Sequence, residues 1–368
     1  MSAKTRVVVL FGGESGEHEV SVRSAASVIE ALDRERYEVF TVGIDKSGRW
    51  FWNVLPAEWQ GQPDNPVLPH HQAVTLAFDP KVPRFIGVEG SLPQGQGACD
   101  IVFPVLHGPN GEDGTVQGAL ELAGMSYVGS GILGSALAMD KDRMKAVLEH
   151  AGLPVGKYLV YGAEFVQENV ETVAECVERD LGYPCFVKPA NLGSSVGISR
   201  ARDRAELLKS MAFALEFDLK IVIEKEIVGR EIEMSVMGDT DNPQVSLAGE
   251  IIPTEGFYDY EAKYVNDSAS LVYPIELDDQ LLKKLQGYAR VTFRAVEASG
   301  LSRVDFFVQP DGSVYVNEIN TMPGFTSISM FSKLWEVSGV PYNSLLDRII
   351  ETGLKRCMLR QKRRLKGN

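Results

Sequence analysis

The apolar run Val7–Phe11 is unbroken and is closed by Gly12-Gly13. That pattern predicts a strand over Arg6–Phe11 covered on both faces, as in a parallel sheet. Val20, Ala25, Val28, Ile29 and Leu32 then recur at helical spacing, and Tyr37–Ile44 reads as a second strand, which completes one βαβ unit. Ile101–Leu106 is the next predicted strand and Gly114–Ala123 the next helix. Residues 46–98 are rich in Pro, Gly and Gln and show little periodicity, so they read as an insertion of irregular structure with little functional content. A second unit starts near Gly131. It has a helix over Lys141–Ala151, ended by Gly152 and Pro154, and strands over Cys185–Pro189 and Lys220–Glu226. A third has strands Glu231–Met237 and Gln244–Ile252, a polar, aromatic-rich loop Tyr258–Tyr273, and a helix Asp279–Glu297 with apolar residues every three or four positions. Ser302–Gln309 and Val314–Asn320 are strands joined by Pro310-Asp311-Gly312, a strong turn signal. The predicted class is α/β in three lobes, with boundaries at 1–129, 130–228 and 229–368.

Composition narrows the function. The 368 residues are 44% apolar and 24% charged, with a net charge of −13, which excludes fibrous and wholly disordered chains and argues against a general nucleic-acid binder. The charge is uneven. Lys355, Arg356, Arg360, Lys362, Arg363, Arg364 and Lys366 form a basic tail without an acid; with those seven set aside, the body holds 30 basic and 50 acidic residues, −20. The tail reads as a frayed, solvated end, with weak contact to anionic lipid or nucleic acid as the alternative. Four cysteines without C-x-x-C spacing fit a reducing compartment. No apolar run approaches the ~18 residues of a membrane span, and the expected location is the cytoplasm.

Three constellations carry chemistry. Glu318 and Asn320 are two apart on a strand and leave the same face, and the Pro-Asp-Gly turn permits Asp305 to pair opposite Asn317 or Glu318. In the second register all three converge, an oxygen set suited to Mg²⁺; the alternative is an edge strand with solvated acids. Arg303 shares the Asp305 face and can stabilise an oxyanion or pair with one of those acids. Next, Lys188 closes a strand and is followed by Gly193-Ser194-Ser195-Val196-Gly197, a loop whose amides can approach phosphate, or a plain turn. It is not a P-loop, since G-K-[ST] is absent, and Gly12-Gly13-Glu14-Ser15-Gly16-Glu17 is not a dinucleotide fingerprint. Last, His107-Gly108-Pro109-Asn110-Gly111-Glu112-Asp113-Gly114 follows a strand, where α/β sheets bind ligands. There Glu112 and Asp113 can cap the next helix, and His107 can be a site residue or a structural hydrogen-bonding group.

Eight segments occur in one order: Gly12-Gly13-x-Ser15-x-Glu17-x-Glu19-Val20-Ser21, His107-Gly-x-x-Gly-Glu-Asp-Gly114, Met139-Asp140-Lys141, Val187-Lys188-Pro189, Gly193-Ser-Ser-Val-Gly197, Phe257-Tyr-Asp-Tyr-Glu-Ala-Lys-Tyr264, Arg303-Val-Asp305 and Asn317-Glu-Ile-Asn-Thr-Met-Pro-Gly324. In order and content they resemble the D-alanine–D-alanine ligases of the ATP-grasp superfamily. The resemblance covers nearly the whole chain, leaving out residues 46–98 and the basic tail.

The resemblance implies a three-lobed ATP-grasp architecture with an N-terminal Rossmann-like βαβ domain. It also implies a cytoplasmic, dimeric enzyme that joins two D-alanines with ATP, through a D-alanyl phosphate, for peptidoglycan precursor synthesis. By the same resemblance Lys141, Lys188, Ser195 and Lys263 contact ATP, Glu224 and Lys225 match the adenine segment, and Glu231 the ribose ligand. Two Mg²⁺ (or Mn²⁺) ions fall to Asp305, Glu318 and Asn320. Glu17 and His107 match the first D-alanine site, with Arg303 on the developing oxyanion and the Gly13 backbone nearby. Ser194, Glu17 and Tyr264 match the hydrogen-bonded set that closes the loop, and Gly324, Ser329 and Met330 the second D-alanine site. Tyr260, Lys263 and Tyr264 favour D-alanine over D-lactate as nucleophile, with a D-lactate or D-serine ligase as the alternative. Leu192 and Met322 depart from common family versions without replacing a proposed catalytic group.

Overall fold

The first sheet grows outward from the apolar run. In the computed structural model, which describes residues 3–62, 64–253, 269–326 and 328–364, β1 (Thr5–Gly12) pairs in parallel with β2 (Tyr37–Ile44) and with β6 (Ile101–Val105). Helices α1 (His18–Ala31) and α3 (Thr115–Leu122) cover it. Alternate residues of β1 feed different cores: Val7, Val9 and Phe11 pack on one face, Val8 and Leu10 on the other. All five are completely buried, as expected of a strand without polar alternation.

Residues 46–98 are not the irregular insertion expected. They supply β3 (Trp50–Trp52), the short helix α2 (Pro56–Trp59), β4 (Gln72–Leu76) and β5 (Phe85–Gly87), which extend the sheet antiparallel in the order β5-β4-β3-β2-β1-β6. Trp52 and Trp59 are buried in the two cores. The Glu58 carboxylate gathers the segment by accepting the Leu55 amide at 2.7 Å and lying 2.8 and 2.9 Å from Nε2 of His70 and His71. Strands of three to five residues are too short to show a period, so aromatic burial orders this stretch instead.

Beyond the first sheet come α4 (Ile132–Met139) and α5 (Lys141–His150), then β7 (Tyr158–Gly162), α6 (Ala163–Asp180), β8 (Cys185–Pro189), β9 (Ser199–Ala201), α7 (Arg204–Ala214) and β10 (Lys220–Lys225). The four strands form an antiparallel sheet, β7-β10-β8-β9, over its own core from α6 and α7. Ala138, Met144, Leu148 and Leu153, by contrast, pack into the next core along the chain. That core lies under β11 (Arg230–Gly238), β12 (Gln244–Pro253), β13 (Ala269–Val272), β14 (Gly300–Val308) and β15 (Val314–Asn320), ordered β13-β12-β11-β14-β15, with α8 (Asp279–Ala295) across it. Of the loop expected over Tyr258–Tyr273, Ala269–Val272 is a strand paired with β12, and 258–268 lie outside the described residues.

The chain closes with α9 (Met330–Val337) and α10 (Tyr342–Arg364). Phe331, Trp335, Leu345, Leu346, Ile349 and Ile350 join Val7, Val9 and Phe11 in one core, which ties the last helices to the first sheet. The basic tail is not frayed over its described length, because it is the end of α10. Gly353 lets the helix approach, since an added Cβ would lie 2.7 Å from the Tyr127 carbonyl oxygen. Arg356 sits 4.4 Å from the Tyr127 ring centroid and donates to the carbonyls of Gly129 and Tyr127, the latter at 3.2 Å. Arg360 pairs with Glu121, which also accepts the Tyr127 hydroxyl at 2.8 Å. No described helix is long and apolar enough to cross a membrane.

Replacing Arg356 removes a ring contact and two charge-assisted hydrogen bonds. R356A is expected to cost about 1–3 kcal/mol of stability. Urea unfolding checks this, and a wild-type midpoint would mean that the tail is not docked in solution.

Candidate active site

A cleft of about 740 Å³ opens where the three sheets meet. Its floor is the hairpin of β14 and β15. The Pro310-Asp311-Gly312 turn closes with Gly312 at φ +83° and its amide 2.9 Å from the Gln309 carbonyl. From there Val308 pairs with Val314 and Phe306 with Val316, but Asp305 pairs with Glu318 and Arg303 with Asn320. One residue, Asn317, is extra: a β-bulge. Val314 and Val316 are buried and so is Ile319, so the buried parity switches at the bulge. Without it Glu318 would follow Val316 into the core; with it, Glu318 and Asn320 face the cleft beside Asp305. Of the two registers open to the sequence, the structure takes the one in which these side chains share a face.

Arg303 does pair with the acids. Its Nε and Nη2 each lie 2.7 Å from the two oxygens of Asp305, and Nε lies 3.0 Å from Glu233 of the neighbouring β11. Burial opposes the guanidinium charge, but Asp305 and Glu233 more than offset it and hold the Arg303 pKa well above its ordinary value. Glu231 and Glu233 are two apart on β11, and both line the cleft. For a cation, the donor set fits a hard ion: two carboxylates face each other across the strands, and Asn320 Oδ1 accepts the Met322 amide at 2.9 Å, which orients the amide oxygen and leaves a second lone pair.

The opposite wall comes from the first and second sheets. Gly13 and Gly12 turn the chain out of β1 at φ +103° and +92° and deliver Glu17 to the start of α1. The Glu17 carboxylate lies close against two glycines: a Cβ would come within 2.7 Å of Oε2 at Gly108 and 3.1 Å at Gly193. Ser194 donates its hydroxyl to Glu17 Oε1 and so joins the Gly/Ser loop to the first lobe. Ser194 and Ser195 stand at φ +49° and +60°, a left-handed backbone that costs free energy in a non-glycine residue and is concentrated at functional sites. His107 lines the cleft and is also structural, with Nδ1 3.0 Å from the Met322 carbonyl and Nε2 3.3 Å from Ser24 Oγ. Asp113 precedes Gly114, the N-cap of α3, and accepts the Thr115 amide at 2.9 Å, whereas Glu112 turns into its own loop and accepts the Gly108 amide at 3.0 Å. Gly324, Ser329 and Met330 line the cleft at the start of α9, where Ser329 accepts the Thr326 amide at 3.0 Å.

Of the residues expected at a nucleotide, Lys141, Ser195 and Glu231 line the cleft. Asp140 caps α5 through the Arg143 amide at 3.0 Å, and Lys141 donates to the Leu192 carbonyl at the base of the Gly/Ser loop. Lys188, Glu224 and Lys225 are not among the described cleft-lining residues. Lys188 lies 3.0 Å from Glu224 Oε2, and Lys225 reaches the Tyr183 carbonyl at 3.3 Å. Lys263 and Tyr264 lie outside the described residues.

Two residues escaped sequence reasoning. Glu233 repeats the cleft-facing parity of Glu231, and Lys145 repeats the face of Lys141 one helical turn on, so periodicity carried a signal for both. Lys145 lies 3.3 Å from Glu224 Oε1, opposite Lys188. Burial pushes Glu224 toward protonation, but the two lysines outweigh it and lower its pKa to about 2. Burial also lowers the Lys145 pKa, against the pull of Glu224.

Residues 6–130 match the family model described as D-ala D-ala ligase N-terminus, and residues 147–351 that of the D-ala D-ala ligase C-terminus. The first match spans 46–98, so that segment belongs within the resemblance. A D-alanine--D-alanine ligase of Ruminiclostridium cellulolyticum is 46% identical over 363 residues, covering 96% of each chain. The solved D-alanine-D-alanine ligase of Coxiella burnetii superimposes with a TM-score of 0.85 at 35% identity, covering 98% of this chain and 96% of that one. The VanG D-Ala:D-Ser ligase of Enterococcus faecalis also reaches 0.85, at 34% identity, over 95% of this chain and 100% of that one. With both halves of the family model matched and the fold shared across nearly its full length, this chain belongs to the D-alanine–D-alanine ligase family.

Proposed function

We propose that the chain joins two molecules of D-alanine at the expense of ATP, through a D-alanyl phosphate, and that the cleft residues divide the work as follows. The observation that carries this reading is the convergence of Arg303, Asp305, Glu318 and Asn320 on one cleft opposite Glu17 and the Gly/Ser loop. A carboxylate is a poor electrophile until phosphorylation turns one of its oxygens into a leaving group. ATP and the carboxylate of the amino acid repel, so such a site must position them and supply positive charge.

Residues 1–129 take the first D-alanine. Glu17 offers its charge to the ammonium, His107 stands behind it, and the Gly13 backbone faces the carboxylate side. Residues 130–228 take ATP, with Lys141, Lys188 and Ser195 toward phosphates and Glu224 and Lys225 at the adenine end; Glu231 (on the ribose) and Lys263 complete the set. Residues 229–368 take the second D-alanine at Gly324, Ser329 and Met330. Asp305, Glu318 and Asn320 would hold two Mg²⁺ or Mn²⁺ ions, whose chemistry when bound is to neutralise phosphate charge. Arg303, aligned by Asp305 and Glu233, stabilises the oxyanion that develops when the amine attacks. Ser194 on Glu17, completed by Tyr264, closes the loop and excludes the water that would hydrolyse an acyl phosphate. The family's cytoplasmic setting, its role in peptidoglycan precursor synthesis and a homodimeric assembly complete the proposal. A D-serine ligase is the second reading, because the Enterococcus D-Ala:D-Ser ligase shares the fold to the same degree.

Glu318→Gln removes one ligand charge at a cleft-facing position and is expected to leave the fold intact while lowering turnover at least ~100-fold. Near-normal turnover in saturating Mg²⁺ would count against the metal assignment. Phosphate release and product mass with D-alanine, D-serine and D-lactate as separate second substrates decide the nucleophile. D-Alanyl-D-alanine is the expected main product, and a predominant D-serine or D-lactate product would replace this reading with the alternative.

A further inference from the structure

The nucleotide assignment uses Lys188 and Glu224 but leaves a third ion beside them unexplained. Lys145 is 1% exposed. Its ammonium lies 3.3 Å from Glu224 Oε1, while the Lys188 ammonium lies 3.0 Å from Glu224 Oε2, one lysine to each oxygen. The Tyr158 ring lies on another side, 5.7 Å from the Lys145 ammonium to the ring centroid. Taking an ammonium out of water is expensive, and one cation already suffices for one carboxylate. A second, more deeply buried lysine on the same carboxylate is therefore costly as a stabilising device.

The charge count points to a use. With one lysine, Glu224 would form a closed neutral pair, and Lys188 could meet an incoming phosphate only by stripping a buried carboxylate of its sole partner. With two, the trio carries a net positive charge, and Glu224 remains compensated when Lys188 turns away.

We infer that Lys145 is a positioning residue for the nucleotide: by sharing Glu224 it leaves the Lys188 ammonium available to an ATP phosphate. This rests on the reading that Lys188 contacts ATP. Lys145 touches neither substrate nor reacting atoms and acts through Glu224.

Steady-state kinetics of the full chain test it. Lys145→Met keeps the length of the side chain and removes its charge. It is expected to raise KM for ATP about tenfold or more, the worth of a charged hydrogen bond, while KM for D-alanine stays within about twofold. Lys145→Arg restores the charge and is expected to hold KM for ATP within about threefold of wild type. In a Glu224→Gln background, where there is no charge to share, adding Lys145→Met should leave KM for ATP unchanged. An unaltered KM for ATP in folded Lys145→Met, or the same increase in both backgrounds, would overturn the inference. Lys188→Met, run in parallel, separates the two layers. If it leaves KM for ATP unchanged, the nucleotide placement falls and the inference with it; if it raises KM and Lys145→Met does not, the inference alone falls. Should circular dichroism show Lys145→Met unfolded, folded Lys145→Arg decides, because a tenfold rise there is incompatible with a role carried by charge.

Discussion

A charge withdrawn from water has to be met by an opposite charge or by hydrogen bonds, and the cleft of this protein and the ions behind it are arranged around that constraint. Arg303 is held between Asp305 and Glu233, Glu224 between Lys145 and Lys188, and Asp140 against Lys220 at 2.7 Å. Apart from Arg303 and Asp305, which share a strand, these partners come from different elements, so the ion pairs also set how those elements sit on one another. A site that handles ATP beside an amino acid must concentrate charge of both signs without letting them collapse. Dividing Arg303 and Glu224 each between two partners keeps them fixed while leaving the local sum different from zero.

The backbone does the equivalent work through glycine and one extra residue. Glu17 occupies a gap bounded by Gly108 and Gly193, from two different lobes, where an added Cβ would lie 2.7 and 3.1 Å from its carboxylate and press it out of place. Asn317, the residue that does not pair, is what turns Glu318 from the core to the cleft. The bulge is local: Val316 and Ile319 remain buried on either side of it.

Much of this was legible in the sequence, for identifiable reasons. The run at Val7–Phe11 and the turn at Pro310–Gly312 are signals strong enough to stand alone, and β2, β8 and β15 begin and end where the pattern places them. The V-x-V-x-x-I spacing before Asn320 carried the bulge in plain sight, yet a single parity break is indistinguishable from noise until the partner strand is known. In residues 46–98 and in the basic tail tertiary contacts override composition: Trp52 and Trp59 reach cores assembled by distant segments, and Arg356 finds Tyr127 across 229 positions of chain. Lys145 does not stand out in the sequence, because a lysine on a helix is ordinarily solvated. Only the fold shows it buried.

The distribution of the cores orders these observations. The first sheet and the last two helices share one core, and α4 and α5 contribute to that of the C-terminal sheet, whereas the four-stranded sheet β7-β10-β8-β9 has a core of its own. The hairpin floor and Glu17 therefore stand on two sheets tied together through α9 and α10. The Gly/Ser loop and Lys188 stand on the separate one. What joins the two sides across the cleft is polar: Ser194 on Glu17, Lys141 on Leu192, Lys145 on Glu224. A seam held by hydrogen bonds and ion pairs exchanges partners at far lower cost than interdigitated apolar side chains do. Substrates that carry the same kinds of groups can take over those contacts one at a time.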